Sequence, residues 1–157
     1  MRPDVVFAYV RDLLERMTGI RPEQDSDGDL PVELEGAQFF VRVVGEHDPW
    51  VQVFAIALAD VPSSPGLLER LNEINSQLRF ARTFHVAGQV LIETEIWADD
   101  VNPANFIHAC KNIAGAADAY GERLQGDFGG RLRFEESKTH EYQPPRQGAG
   151  QVSGPYL

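Results

Sequence analysis

Leu30-Pro31-Val32-Glu33-Leu34-Glu35-Gly36-Ala37-Gln38-Phe39-Phe40-Val41-Arg42-Val43-Val44, then the turn Gly45-Glu46-His47-Asp48-Pro49, then Trp50-Val51-Gln52-Val53-Phe54-Ala55-Ile56-Ala57-Leu58, decides the fold class. Val32 and Leu34 alternate with Glu33 and Glu35, the two-residue period of a half-buried strand over Leu30–Glu35. Gly36 hinges it to Ala37–Val44, where Phe39, Val41 and Val43 oppose Phe40, Arg42 and Val44, a strand covered in part on both faces. Trp50–Leu58 is apolar but for Gln52; its length and β-branched content suit a central strand, and its alanines suit a buried helix. Taken as strands, the three successive segments form an antiparallel meander.

Amphipathic helices flank this block. From Pro3 to Met17, Val6, Val10, Leu13, Leu14 and Met17 recur at helical spacing, with Asp4 in the first turn, Arg16 in the last and Gly19 as a stop. Residues 21–29 are polar turn formers. Ser63-Ser64-Pro65 opens a second helix with stripe Leu67, Leu71, Ile74 and Leu78, flanked by Leu68 and Asn75. Two strands follow, Phe80–Val86 and Gln89–Trp97, joined at Ala87-Gly88. A two-residue turn there sets Arg82 against Glu93 and Phe84 against Leu91, with Thr83, His85, Val90, Ile92 and Ile96 on the other face; a three-residue turn shifts that register. Asn102-Pro103 starts the last helix, whose stripe is Phe106, Cys110, Ile113, Ala117 and either Tyr120 or Leu124. Gly115 and Gly121 each cost about 1 kcal/mol relative to Ala, so its distal half is expected to bend or fray before Gly129-Gly130 ends it.

The order helix, three strands, helix, two strands, helix predicts an α+β fold, a five-stranded antiparallel sheet with helices packed on it, over residues 1–130. Residues 131–157, rich in Pro, Gly, Gln and charge, read as an extension to about Glu136 and a disordered tail. Among 157 residues, 24 Asp and Glu against 14 Lys and Arg give a net charge of −10, which repels phosphate backbones and disfavours nucleic-acid or anionic-membrane surfaces. A single Cys110 fits a reducing, cytoplasmic setting, and Asp4, Arg11 and Asp12 interrupt any signal-peptide core.

The chemistry-bearing residues do not converge. Asp25-Ser26-Asp27-Gly28-Asp29 opens like a calcium loop, but Leu30 stands where its glycine belongs and Gly36 where its bidentate Glu belongs, leaving an acidic turn. His47, His85, His108 and His140 supply no zinc spacing; His108 and Cys110 point to different sides of a helix, and His85 reads as a core-edge histidine with a hydrogen-bond partner. Cys110 lies on an apolar stripe, where burial raises its pKa, the wrong direction for a nucleophile. Neither a nucleophile elbow nor a P-loop occurs; Gly126-Asp127-Phe128-Gly129-Gly130 lacks the Lys-Ser/Thr pair. Glu93 and Glu95 beside Arg82 read as a solvated cross-strand ion pair. No catalytic residue, metal or cofactor is therefore assigned. Trp50, Phe54, Phe84 and Trp97 cannot all be placed on one face by parity alone; those left outside the core would form an apolar patch of the kind that contacts proteins.

The segment Leu67-Leu68-Glu69-Arg70-Leu71-Asn72-Glu73-Ile74-Asn75-Ser76-Gln77-Leu78-Arg79-Phe80-Ala81-Arg82, the Asp-x-Asp-Gly-Asp turn before the first strand, and the Pro-Ser-Ser-Pro-x-Leu-Leu lead-in to the second helix carry a resemblance. Over about residues 3–130 the chain resembles the peptide-binding chaperone superfamily that unites type III secretion chaperones with YbjN-like proteins, in particular its actinobacterial single-domain branch. The resemblance implies an α-β-β-β-α-β-β-α fold, a homodimer, and non-enzymatic binding of a protein or peptide segment, as a chaperone or adaptor. An acidic surface favours basic or amphipathic partners. The residues expected to meet a partner are Trp50, Phe54, Leu68, Asn72, Asn75, Arg82 and Trp97, with a local helix–strand hydrogen bond as the simpler role for Asn72 and Asn75. A small-molecule-sensing regulatory domain on the same scaffold is the alternative.

Overall fold

The computed structural model describes residues 1–132. The expected extension to about Glu136 and the tail beyond it lie outside the described residues. Three helices and five strands follow in the expected order: α1 (Pro3–Thr18), β1 (Leu30–Leu34), β2 (Ala37–Val44), β3 (Trp50–Leu58), α2 (Pro65–Gln77), β4 (Arg82–Val86), β5 (Gln89–Trp97), one 3-10 turn (Ala98–Asp100) and α3 (Pro103–Phe128). The sheet is antiparallel throughout, in the order β1-β2-β3-β5-β4. Trp50–Leu58 is thus a strand, and it lies at the centre.

Strand parity divides the sheet into two faces. Val32, Phe39, Val41, Val51, Val53, Ala55, Val90 and Ile92 join Val6, Val10 and Leu14 of α1, Leu67, Leu71 and Ile74 of α2, and Phe106, Cys110 and Ile113 of α3 in one core. Each fully buried Leu, Ile or Phe there contributes about 1.5–3 kcal/mol. The helix starts follow their caps. Ser64 Oγ accepts the Leu67 N–H at 3.1 Å, and Asn102 and Asn105 form a reciprocal capping box.

Four expectations are corrected by local geometry. β1 stops at Leu34, because Glu35 and Gly36 both take positive φ (53° and 83°) as a two-residue turn. α2 ends at Gln77, with Leu78 already extended as its C-cap. β4 begins at Arg82, since Phe80 turns to φ 54° and leaves the sheet. α3 does not fray: it runs unbroken to Phe128, and at Gly121 an added Cβ would lie 3.2 Å from the Ala57 carbonyl oxygen. The glycine that weakens the helix locally is what lets it lie against β3, so packing outweighs propensity. Beyond α3, Ala59 and Arg131 exchange two backbone hydrogen bonds of 2.8 Å, tying the end of the helix to the end of β3.

Candidate functional site

Ala87 and Gly88 both take positive φ (50° and 75°), so the β4–β5 turn has two residues, and Arg82 faces Glu93 while Phe84 faces Leu91 as expected. The strand face away from the helices then carries Phe40, Arg42, Trp50, Gln52, Phe54, Arg82, Phe84, Glu93, Glu95 and Trp97. All four aromatic residues that parity left unassigned share it. Phe54 is buried, stacked on Phe40 at 5.3 Å and lying beneath the Arg42 guanidinium. Arg42 in turn meets Asp29 in a buried bidentate ion pair. Burial pulls the Asp29 carboxyl above its ordinary range, and Arg42 pulls it back. Asp25 is also occupied within the chain, accepting the N–H groups of Asp27 and Asp29 at 3.0 and 2.9 Å. These bonds make the Asp-rich segment a self-satisfied turn.

Glu93 is not solvated, contrary to expectation: it is 1% exposed. Arg82 Nε of β4 donates to it at 2.7 Å, and the buried Gln52 amide donates to it from β3 on the other side. Neighbouring side chains on a wide sheet, rather than the β4–β5 pair alone, set its burial. Glu95 lies 3.8 Å from Arg82, its carboxyl pushed up by partial burial and then by the charge of Glu93. Trp50 and Trp97 meet edge to face at 6.0 Å at the end of this face, and Trp97 remains 60% exposed.

On α2, Leu68 is 50% exposed and Asn72 points to solvent. Asn75 takes the helix–strand role: its side chain accepts the Thr83 N–H at 2.8 Å and donates to the Thr83 C=O at 2.9 Å. It occupies the outward backbone groups of β4 as a neighbouring strand would. The opposite edge strand, β1, presents Pro31, which has no N–H to offer. Both sheet edges are therefore guarded. His85 is partly buried with Nε2 2.8 Å from the Val61 carbonyl oxygen. Cys110 is fully buried, its thiol pushed up to about 12 by desolvation.

One length of strand is not covered. β5 runs to Trp97, but β4 pairs with it only as far as Arg82 and Glu93. Alongside Thr94–Ile96 lies a groove of about 730 Å³, walled by Arg79 and Phe80 on one side and by Asn105, His108, Ala109 and Asn112 of α3 on the other. Phe80 is 91% exposed beside it. A smaller cavity, about 320 Å³, lies at the far end of α3 between Ala37, Ala57, Gly121 and Leu132.

The structure therefore brings Trp50, Phe54, Arg82 and Trp97 together on one face and leaves Leu68 and Asn72 apart on α2. Phe80 and the α3 wall were not foreseen. The pairing arithmetic held the signal, for a two-residue turn at 87–88 assigns Glu95 to residue 80 and Trp97 to residue 78, and the latter falls at the end of a helix. Among the described residues no cluster of three or more His, Cys, Asp and Glu could hold a metal, and no helix is long and apolar enough to cross a membrane.

Residues 4–136 match the family described as T3SS (YopN, CesT) and YbjN peptide-binding chaperone 1. Among solved structures, a chain of the ExsC–ExsE complex is similar with a TM-score of 0.58 and 16% identity, over 74% of this chain and 94% of that one. A chain of the HopA1–SchA chaperone–effector complex gives 0.59 at 6% identity, over 75% and 94%. A chain of the heterodimeric ExoU–SpcU complex from the type III secretion system of Pseudomonas aeruginosa gives 0.52 at 19% identity, over 74% and 98%. These likenesses establish the shared fold. No curated protein matches the sequence.

Proposed function

The chain belongs to the family of T3SS and YbjN peptide-binding chaperones, and from that premise we propose that it is a non-enzymatic chaperone or adaptor that acts as a homodimer and holds a basic or amphipathic segment of another protein. The observation that carries this reading is the pairing of exposed aromatic residues, Trp97 and Phe80, with an uncovered length of β5 on a chain of net charge −10. Exposed aromatic surface beside a strand edge suits a polypeptide, and excess negative charge speeds the approach of a cationic one. The absence of chemistry in this reading is supported by how the reactive groups are placed. The Cys110 thiol is buried and protonated, the His85 ring is against a backbone carbonyl, and Glu93 is tied to Arg82 and Gln52.

We further propose that residues 1–130 form the binding domain and that residues 131–157 are an extension from it, whose first two residues are held by the domain, Arg131 by its backbone bonds to Ala59 and Leu132 by burial in the core. Trp50, Arg82 and Trp97 are the partner-facing residues of the sheet, with Leu68 and Asn72 on α2 facing a second subunit or the client. The setting proposed is the cytoplasm, with neither nucleic acid nor membrane as partner and no cofactor. The test is light scattering of the full chain together with anisotropy titration of a labelled basic amphipathic peptide. A dimer that binds it saturably, and releases it at high salt, is expected. A strict monomer without affinity for such peptides refutes the proposal. The groove volume also lies within the range of small-molecule sites, which favours the second reading, a metabolite sensor; thermal stabilisation by metabolites and never by peptides would select it.

A further inference from the structure

β2 and β3 part before either ends. Their register stops at Phe40 with Phe54, although β2 runs back to Ala37 against β1 and β3 runs on to Leu58 against β5. Among the described residues, no strand register continues on the β2 side of β3 from Ala55 to Leu58. Ala59 then exchanges its two backbone bonds with Arg131. Leu58 is paired with Val90 of β5, so Arg131 lies on the other side of β3, in line with the split.

The split opens into the cavity of about 320 Å³ beneath the far end of α3. Ala57 of β3 and Ala117 and Gly121 of α3 bring nothing larger than a methyl group to its wall. Glu33, Asp118 and Glu122 stand exposed at its rim, and none of the three is in an ion pair among the described residues. The cavity thus combines room for an apolar group with unpaired negative charge.

The sequence supplies both at this point. Arg131 turns outward to Asp60, and Leu132 turns inward, 6% exposed, to line the cavity beside Gly121. Arg133-Phe134-Glu135-Glu136 come next. Side chains alternate along an extended chain, which assigns Arg133 to the face of Arg131 and Phe134 to the face of Leu132. A ring at 134 then meets the small side chains of the wall, and a guanidinium at 133 meets the acidic rim. Glu135 and Glu136 are repelled by the same carboxylates, which ends the match at Phe134.

We propose that Arg133 and Phe134 continue from Arg131 into the split between β2 and β3 as an intramolecular clasp, Phe134 filling the cavity and Arg133 neutralising its rim. The clasp covers the open side of β3 against other strands, as Asn75 and Pro31 guard the two sheet edges. It is independent of the proposed peptide binding, because this cavity and the β5 groove lie towards opposite ends of α3.

NMR of the full chain, labelled at alanine methyls and phenylalanine rings, tests this. The Phe134 ring, assigned by its loss in Phe134→Ala, is expected to show NOEs to the methyls of Ala57 and Ala117. Phe134→Ala and Arg133→Glu are each expected to speed exchange of the Arg131 amide, which donates to Ala59, at least tenfold. Tyr142→Ala, farther along the chain, is expected to leave it unchanged. A Phe134 ring without those NOEs, an Arg131 amide indifferent to both variants, or an equal response to Tyr142→Ala overturns the clasp. NOEs found only between copies mixed with different labels assign the cavity to a second subunit's segment. Loss of the NOEs on adding the basic amphipathic peptide assigns it to a client. Either result also overturns the clasp, and neither depends on the anisotropy titration that decides the broader function.

Discussion

Replacing Asp29 by alanine isolates the most costly electrostatic contact of the sheet face. The Asp29 and Arg42 side chains are 4% and 11% exposed, and the guanidinium spans both carboxylate oxygens while lying 5.3 Å from the centre of the Phe54 ring. With the carboxylate gone, Arg42 keeps its charge and its burial but loses its counter-ion, a loss of about 3–5 kcal/mol in comparable buried pairs. For a domain of this size that corresponds to a fall in thermal midpoint of roughly 10–20 °C. In the intact pair desolvation is the largest influence on Asp29 and the Arg42 contact opposes it, so the attraction is offset by the loss of water. Removing both charges, as Asp29→Ala with Arg42→Met, is therefore expected to recover all but about 1–2 kcal/mol. Urea unfolding at pH 7, followed by circular dichroism, measures both variants against the parent chain. A single substitution costing less than about 1 kcal/mol, or a double variant no more stable than the single one, would falsify the assignment of a desolvated pair.

Three smaller perturbations follow from the same structure. Asn75→Ala removes two hydrogen bonds to Thr83 and is expected to cost about 1–2 kcal/mol, with faster amide exchange at Thr83 read by NMR. Gly130→Ala is expected to destabilise clearly more than Gly129→Ala in thermal melts, because both have positive φ but only at Gly130 would the new Cβ lie 2.6 Å from the Ala59 carbonyl oxygen. The Cys110 thiol, raised from 9.0 to about 12, should resist a thiol-reactive dye at pH 8 until the protein unfolds; because the folded value is the higher one, its stabilising contribution is complete below pH 9 and is lost as pH rises towards 12.

The fold was legible because its signals are local. Alternation in Val32–Leu34, the helical stripe of α1 and the Ser64 and Asn102 caps each depend on residues within a few positions. The β4–β5 register was legible once a two-residue turn was assumed. What stayed hidden depends on distant neighbours. Glu93 reads as a surface acid in its own strand, and its burial goes with neighbours on both adjacent strands, Gln52 of β3 and Arg82 of β4, which both donate to it. Gly121 reads as a weak point in a helix until β3 is brought within contact of it. Phe80 reads as the first apolar residue of a strand; its φ of 54° turns it away, and Asn112, 33 residues beyond Arg79, holds the Arg79 carbonyl beside that bend. Of the residues singled out for a partner, Trp97 is exposed and follows directly on Ile96, which lines the groove, while Asn75 serves the internal role that was its simpler reading.

Residue-resolved amide exchange of the full chain, alone and with a saturating apolar–basic–apolar segment, puts the function and the site to one test. Slowed exchange at Glu95 and Trp97, with the Trp50–Trp97 fluorescence shifting in step, is the expected outcome. Binding that leaves those two amides unchanged and protects only α1 or the β1 edge would contradict it.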